Sequence, residues 1–418
     1  MKGKQQINRR EFLVGASALG VSVLAAAPKV FGAIEEPSST TAPATTSEKS
    51  VQVPADAKVP KRKFGRTGVE VSILSLGGMF DIPNNQLMLK KALDWGVTYW
   101  DTADCYGNGN SEIGIGMFFE KMPEARKQVF LVTKSDRRDP EGMTELLNRS
   151  LERMKTDYID LYFVHGVSKR DEINEETRKW AEKAKAEKKI RFFGFSTHSN
   201  MEDLLEYAAT LGWIDGIMVK YDYRLMHKDR MKAAIEACAK AGIGLTAMKT
   251  QGGGPVRTDT EAELKLAGHF LQKGLTPAQA KLKAVWENPI ISAICSQMPN
   301  LTILKENVAA ALDGTKLAAA DHEALREYAA ATASSYCAGC RHICEDAAEC
   351  NAPVADVLRY MMYGVSYGDY ALARDKFAEL PLDVREQLRK ADLSRAEALC
   401  PQGLPISRVV AEAFSRLA

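Results

Sequence analysis

The sequence lacks a charge excess of either sign, and it lacks long apolar runs. Its 418 residues contain 56 lysines and arginines and 54 aspartates and glutamates, which gives a formal net charge of +2. Because nucleic-acid binding needs a strongly basic surface, this balance predicts no nucleic-acid partner. No apolar stretch reaches the roughly 20 residues that a helix needs to span a bilayer. With 45% hydrophobic residues, the composition is otherwise that of an ordinary globular protein.

The N-terminus has the pattern of an export signal. Arg9 and Arg10 stand before the weakly apolar residues 14–27, as in a twin-arginine signal. We therefore expect residues 1–33 to be a signal peptide that is read by the twin-arginine export machinery. The mature protein would be periplasmic or extracytoplasmic, without stable membrane insertion; an uncleaved anchor or a chance arginine pair are the alternatives. Residues 34–59, rich in Ser, Thr, Pro and Ala, are predicted to be a disordered linker.

After the linker, short apolar runs rich in β-branched residues alternate with segments of helical length. Strands that are this short and this apolar are typical of a parallel sheet buried on both faces. Eight strand–helix units in about 240 residues match the usual size of a (β/α)8 TIM barrel. The sequence predicts this α/β barrel for residues 60–315. The predicted strands are residues 71–76, 97–101, 129–134, 158–165, 190–196, 214–220, 243–249 and 290–295.

Three of these runs end in side chains that are suited to acid–base chemistry. Asp101 ends the second run and is followed by Tyr106, Lys134 ends the third run, and His165 ends the fourth. Because the C-terminal ends of all strands in such a barrel meet at one mouth, we expect the four side chains to share a pocket. Any one of them alone could be an ordinary polar residue at the mouth, but four in register argue against that interpretation.

Six short segments also follow one another in an order that is known from one enzyme family. They are Phe64-Gly-Arg-Thr-Gly-Val-Glu-Val-Ser72, Leu76-Gly-Gly78, Asp101-Thr-Ala-Asp-Cys-Tyr-Gly107, Val132-Thr-Lys134, Asp160-Leu-Tyr-Phe-Val-His165 and Gly194-Phe-Ser196. Together they resemble the aldo/keto reductase superfamily. The resemblance implies an NAD(P)-linked oxidoreductase that interconverts a small carbonyl compound and an alcohol by hydride transfer.

The resemblance also implies a role for each of the four strand-end residues. Tyr106 would be the general acid, because hydride transfer to a carbonyl develops negative charge on oxygen and needs a proton donor. Lys134 would favour the phenolate, since the ordinary pKa of a phenol, about 10, hinders proton exchange at neutral pH. Asp101 would hold Lys134 in place, and His165 would orient the substrate carbonyl.

A nicotinamide dinucleotide would lie extended across the barrel mouth, according to the resemblance. Met218 stands where the family commonly has a carboxamide-binding Gln, and Ile303 stands near the Arg that often binds the 2′-phosphate, so no preference for NADP is expected. The Gly-x-Gly-x-x-Ala string at residues 242–247 leads into a strand and is interpreted as a turn. The implied nucleotide contacts are Ser196, Tyr221, Lys249, Gly252, Gly253, Gly254, Ser296, Gln297, Glu306 and Asn307; the glycines could instead form only a flexible loop.

Five of the eight cysteines lie near the C-terminus, in Cys337-x2-Cys340-x3-Cys344-x5-Cys350 and in Cys400-Pro401. Disulfides are the usual state of cysteines in exported proteins, but this tight spacing suits a metal centre, and a Cys-Pro ligand is typical of [4Fe–4S] sites. The region is similar to the ferredoxin-like extension of a subset of aldo/keto reductases.

That similarity implies a mainly helical 4Fe-4S domain in residues 316–418, with one cluster held by Cys337, Cys340, Cys344 and Cys400. Cys350 would then be spare. Zinc on the same thiolates and a disulfide pair are the alternatives. The remaining cysteines, Cys105, Cys238 and Cys295, are predicted to be buried thiols in the barrel.

A second function remains open from the sequence alone. The protein would be an extracytoplasmic electron-transfer or redox-sensing protein whose barrel binds a ligand or partner without hydride chemistry. The scarcity of free NAD(P)H outside the cytoplasm favours this hypothesis, and the intact set of four strand-end residues argues against it. An electron donor or acceptor would be an additional partner in either case, unless the cluster serves only to attach the tail to the barrel.

Overall fold

A closed barrel of eight parallel strands forms the centre of the computed structural model, which describes residues 53–252, 260–348 and 352–418. The eight strands follow one another around the barrel in chain order, and the first closes it against the last. The predicted (β/α)8 barrel is therefore confirmed. In chain order the strands are β1 (Lys61–Lys63), β2 (Glu70–Ser72), β3 (Leu74–Gly77), β4 (Tyr99–Asp101), β5 (Phe130–Ser135), β6 (Ile159–Val164), β7 (Ile190–Thr197), β8 (Gly216–Lys220), β9 (Gly244–Met248) and β10 (Ile291–Gln297).

Helices connect the barrel strands. In the part of the chain that the structure describes, seven further helices follow the last helix of the barrel. The helices up to the end of the barrel are α1 (Gln86–Asp94), α2 (Asn110–Lys121), α3 (Pro140–Arg153), α4 (Glu175–Ala186), α5 (Met201–Leu211), α6 (Asp229–Lys240), α7 (Glu261–Leu271), α8 (Pro277–Trp286) and α9 (Leu301–Leu312). The C-terminal helices are α10 (Ala319–Ala331), α11 (Arg341–Ala347), α12 (Val354–Tyr367), α13 (Tyr370–Ala378), α14 (Leu382–Lys390), α15 (Ser394–Ala398) and α16 (Ile406–Arg416).

The start of α3 shows how local sequence sets these elements. Asp139 precedes the helix in an extended conformation, and its Oδ1 accepts a hydrogen bond from the Gly142 amide at 2.7 Å. Pro140 occupies the first turn, where its missing N–H costs nothing. Met143, Leu146 and Leu147 then fall on one face and are buried against the barrel.

The predicted first strand, residues 71–76, was wrong in one respect, because the chain divides it into β2 and β3. β2 pairs antiparallel with β1, and only β3 joins the barrel. Ser72 makes the division: its hydroxyl donates to the Leu74 carbonyl at 2.8 Å and accepts from the Thr98 and Tyr99 amides at 3.1 Å each.

The β1–β2 hairpin carries a plug for the N-terminal end of the barrel. Phe64 is fully buried and packs against the rings of Tyr99 and Phe130. A Cβ at Gly244 would lie 2.5 Å from the Phe64 ring, so this glycine leaves room for the plug. The glycine string at residues 242–247 therefore enters β9 and packs against Phe64, in agreement with its interpretation as a turn.

The C-terminal helices pack on the barrel, and residues 50–418 form one compact unit. Arg224, just after β8, donates to the carbonyls of Gly252 and Ala329 and to the Thr332 hydroxyl. Its guanidinium also lies over the ring of Tyr336, at 4.8 Å from the ring centroid. The C-terminal end of the barrel is thus bonded directly to the segment that leads into the cysteines.

The predicted signal peptide, residues 1–33, and most of the predicted linker lie outside the described residues. Val59 is buried and its amide donates to the Trp95 carbonyl at 2.8 Å, so the packed part of the chain starts before residue 60. In the part of the chain that the structure describes, every helix is too short or too polar to cross a bilayer.

Candidate active site

The ammonium of Lys134 is the centre of the four strand-end residues. The side chain is 1% exposed, and its Nζ donates to Asp101 Oδ2 at 2.8 Å, to the Thr102 carbonyl at 2.7 Å and to the Tyr106 hydroxyl at 3.4 Å. Asp101 ends β4 and Lys134 lies near the end of the adjacent β5, so the parallel register brings the two charges together. All three donors of the ammonium are used, and one of them holds the phenol.

His165 completes the group. Its ring meets the Tyr106 ring edge-on, with the centroids 5.7 Å apart, and its Nδ1 lies 2.7 Å from Asp136 Oδ1. The Cys105 sulfur is 3.8 Å from the same nitrogen. The structure therefore brings all four predicted residues together and adds Asp136, which the sequence reasoning missed. A carboxylate only two positions after Lys134, in the turn that ends β5, was the available signal.

Burial controls the protonation of this site. It raises the pKa of Tyr106 well above the ordinary value, and the nearby Asp101 carboxylate adds to the effect. The phenol therefore keeps its proton at neutral pH, and the expected stabilisation of the phenolate by Lys134 stays a prediction. Burial also lowers the pKa of His165 although Asp136 opposes it, so the imidazole is neutral at neutral pH. Since an ionised Asp136 can only accept, the proton of this neutral ring is on Nδ1.

Of the three barrel thiols that were predicted to be buried, Cys238 is fully buried and Cys105 and Cys295 are partly buried. Cys238 is buried, and its Sγ donates to the Leu205 carbonyl at 3.4 Å. Cys295 lies 3.7 Å from Asp101 Oδ2, and burial raises the pKa of its thiol, as it does for Cys105. The seven cysteines among the described residues are all free thiols.

Four of the predicted nucleotide contacts lie on β10 and α9. Ser296 Oγ accepts from Asn307 Nδ2 at 3.0 Å, Gln297 Nε2 donates to the Met79 carbonyl, and the Glu306 carbonyl accepts from Gln279. Ser196, at the end of β7, accepts from the Gly166 amide at 3.0 Å. The structure thus joins Ser296 to Asn307, and the role of these residues at the adenosine end stays a prediction.

Other predicted contacts are not brought to this group. Tyr221 is 2% exposed, and its hydroxyl accepts from Asn288 Nδ2 at 2.9 Å, so the ring packs in the core. Gly252 has a φ of +70°, and its carbonyl accepts from Arg224. Gly253 and Gly254 lie outside the described residues.

Lys249 is engaged by the chain's own C-terminal region. Its Nζ donates to the Tyr363 hydroxyl at 3.4 Å and lies 4.8 Å from the centroid of that ring. Tyr367, one turn further along α12, lies 5.9 Å from the same ammonium. The place predicted for nucleotide phosphates is therefore occupied by a phenol of the tail.

The four predicted cluster ligands line one tight pocket, although Cys400 is distant from the others in sequence. Apolar side chains complete the wall, among them Ile343, Leu358 and Ile406. Burial raises the pKa of Cys344 to about 12, and the neighbouring Cys337 adds to the effect. Cys350, predicted to be spare, lies outside the described residues. The pocket thus collects Cys337, Cys340, Cys344 and Cys400.

Replacement of Asp136 by Asn should lower the pKa of His165 further. The wild-type pKa lies below the ordinary value of about 6.5 because burial dominates, while Asp136 pulls it upward. Removing that carboxylate takes away the largest influence that opposes burial. The imidazole can be titrated by NMR, with its resonance assigned from its loss in His165→Gln. Asp139→Asn, an exposed neighbour, is the control and should change nothing; an unchanged or raised His165 pKa in Asp136→Asn would contradict the assignment.

Comparison with known proteins agrees with this geometry. Residues 75–319 match the Aldo/keto reductase family. Among relatives, the chain is 30% identical over 215 residues to "Aldo-keto reductase yakc [NADP(+)]" of Schizosaccharomyces pombe, covering 47% of this chain and 62% of that protein. It is 34% identical over 152 residues to "Uncharacterized oxidoreductase YqkF" of Bacillus subtilis, covering 33% and 48%. The chain therefore spans less than two thirds of the length of these relatives.

Solved structures show the same barrel. The aldo-keto reductase AKR11C1 from Bacillus halodurans, in its holo form, superposes with a TM-score of 0.54 at 22% identity, covering 65% of this chain and 96% of that one. The thermostable aldo-keto reductase Tm1743 gives a TM-score of 0.53 at 26% identity, covering 64% and 99%. With the family match extending over more than half of the sequence, the chain belongs to the aldo/keto reductase family.

Proposed function

We propose that the chain interconverts a carbonyl compound and an alcohol by NAD(P)-linked hydride transfer at the site formed by Asp101, Tyr106, Lys134 and His165. The observation that carries the proposal is the buried Lys134 ammonium, which is bonded at once to Asp101 and to the Tyr106 hydroxyl. A nicotinamide nucleotide, when bound, supplies or receives the hydride. The residues of the chain supply the proton and the orientation of the substrate.

Tyr106 holds the proton that the reaction needs. Because burial raises the pKa of Tyr106, the phenol is protonated before reduction and can donate to the substrate oxygen as negative charge develops. The phenolate that remains is stabilised by the Lys134 ammonium, and Asp101 keeps that ammonium in position. In the direction of alcohol oxidation the same groups take the proton back.

His165 orients the substrate oxygen. With Nδ1 bonded to Asp136, Nε2 is the ring nitrogen left for the substrate. In the neutral ring Nε2 is an acceptor, which suits an alcohol hydroxyl; once protonated it would be a donor to a carbonyl oxygen. Asp136 thus acts through His165 as a positioning residue.

The residues present fit a nucleotide in part. Ser196, Ser296, Gln297, Glu306 and Asn307 would hold it, and the side chains of Ser296 and Asn307 share a hydrogen bond. Lys249 would reach the phosphates only after losing its contact with Tyr363. This observation favours the second candidate function, an electron-transfer or redox-sensing protein in which the barrel does no hydride chemistry.

We also propose that Cys337, Cys340, Cys344 and Cys400 hold one 4Fe-4S cluster, which would supply one-electron transfer. Their convergence on one pocket with apolar walls supports this proposal. The Cys-x2-Cys-x3-Cys spacing and the Cys400-Pro401 pair favour a cluster over zinc.

Export by the twin-arginine route to a periplasmic or extracytoplasmic location completes the proposal. It rests on the residues 1–33 pattern and on the cluster. A thiolate-bound cluster assembled outside the cytoplasm would meet an oxidising compartment, whereas a folded protein can carry its cluster across.

Tyr106→Phe should lower the turnover of carbonyl reduction by about 10²–10⁴-fold, because the proton donor is lost while the ring packing stays. Steady-state kinetics on a panel of aldehydes and ketones with NADH and NADPH measures it. Tyr207→Phe is the matched control, since that hydroxyl contacts only the Ile173 carbonyl among the described residues, at 3.3 Å on the helical layer. Equal turnover in wild type and Tyr106→Phe would refute the assignment, and wild type inert on every carbonyl with either nucleotide would support the second candidate.

Tyr363→Ala should tighten the binding of NADH and NADPH by roughly tenfold, because it frees Lys249 from a hydrogen bond to a charged group, worth about 1.5–3 kcal/mol. Nucleotide fluorescence titration measures the dissociation constants. Tyr360→Ala, on the same helix and also largely buried, is the control for general loosening of α12. If both variants bind nucleotide as wild type does, Tyr363 does not compete with it.

Anaerobically purified protein should be brown and contain about four iron atoms per chain. Ser in place of Cys337, Cys340, Cys344 or Cys400 should remove the cluster and make the tail sensitive to proteases, because metal-binding energy is also folding energy. Cys350→Ser and Cys238→Ser should keep the iron. Iron that survives Cys400→Ser and disappears in Cys350→Ser would show that the ligand set is wrong, and one zinc per chain would refute the cluster.

A further inference from the structure

A second, tight pocket adjoins the cysteine pocket and shares Cys337 and Ala355 with it. Its wall is unusual because three of its side chains are cationic and come from both halves of the molecule. These side chains are Lys220 at the end of β8, Lys249 after β9 and Arg359 in α12.

Lys220 is the most enclosed of the three. It is 3% exposed, its Nζ donates to the Cys337 carbonyl, and it lies 4.3 Å from the centroid of the Tyr336 ring. Among the described residues, no carboxylate lies within 4.0 Å of this ammonium. The charge is therefore balanced at contact distance by a dipole and a ring, and the attraction of an acid, Asp222, reaches it only from farther away.

Arg359 is only partly balanced. It lies 2.8 Å from Asp356 Oδ1, but the other oxygen of Asp356 is taken by Arg341 at 3.0 Å. A second contact joins Arg359 Nη1 to His198 Nδ1 at 3.0 Å, and the Arg359 Nε is buried without a partner among the described residues. Among the described residues, the three cations of this pocket thus have one directly paired carboxylate, that of Asp356, which is shared with Arg341.

Such an imbalance needs an anion. Buried charges without counter-charge are strongly destabilising, and attraction across a low-dielectric wall is much stronger than in water. An iron–sulfur cluster held by four thiolates has net negative charge, which grows by one when an electron is added. The cysteine pocket lies directly beside the cations, because Cys337 belongs to both walls.

We propose that Lys220 and Arg359 are the fixed counter-charges of the cluster and raise its reduction potential. The reduced cluster carries more negative charge than the oxidised one, so nearby cations stabilise it more. The inference rests on the proposed cluster. It assigns to a barrel residue, Lys220, control over a redox centre in the C-terminal tail. Both residues act on the cluster through space and are positioning groups, not ligands.

The test is a potentiometric titration of the full-length, anaerobically purified protein with dithionite and mediators, followed by EPR of the reduced cluster. Lys220→Met and Arg359→Gln should each shift the midpoint potential to lower values. Lys220→Arg retains the charge and should restore a potential close to that of wild type. Lys232→Met, an exposed lysine of α6, is the control and should leave the potential unchanged.

Iron content separates the failure of this inference from the failure of the proposed cluster. Wild type without iron refutes the cluster itself. Wild type with a full cluster, and unchanged potentials in both charge-removing variants, overturns the counter-charge role and would indicate that the pocket binds a separate anion. If Lys220→Met does not retain iron, Arg359→Gln decides: a lower potential supports the inference and an unchanged one refutes it.

Discussion

The buried ammonium of Lys134 is the constraint on which the barrel mouth depends. An ammonium that is almost fully removed from water must have all its donors satisfied, since an unpaired buried charge costs several kcal/mol. Its three acceptors come from the Asp101 side chain, the Thr102 carbonyl and the Tyr106 hydroxyl. They belong to one short segment at the end of β4. The hydrogen-bonding requirement of Lys134 therefore determines the strand register, the following turn and the position of the Tyr106 phenol.

The other half of the mouth is completed by the C-terminal tail. Asn200, which begins α5, does not cap that helix with its side chain. Its amide nitrogen donates to the Gly339 carbonyl, and its Oδ1 accepts from the backbone and ring of His342. Lys220 and Arg224 likewise bond to the tail. These strand ends thus hold the segment with Cys337 and Cys340.

The sequence predicted those features of the structure that depend on local residue patterns. Apolar runs located the barrel strands, and their polar ends located Asp101, Tyr106, Lys134 and His165. The division of residues 71–76 depends on a single serine hydroxyl, which no periodicity reveals. The contact between Lys249 and Tyr363 joins positions more than one hundred residues apart, so it follows from tertiary packing alone. The pocket lined by Lys220, Lys249 and Arg359 also follows from tertiary packing alone, because its residues come from both halves of the chain.

The departures from the family pattern all lie on the nucleotide side of the site. Met218 is buried inside the barrel against Phe64 and Tyr99, where it cannot act as a Gln. Tyr363 accepts a hydrogen bond from Lys249. Burial raises the pKa of the Tyr363 phenol, but the nearby Lys249 and Arg359 cations outweigh burial and hold that pKa below the ordinary value. A cation that serves a resident phenol is less available to a phosphate. The four strand-end residues are intact, so the departures change the proposed nucleotide site and leave the proposed proton-transfer site in place.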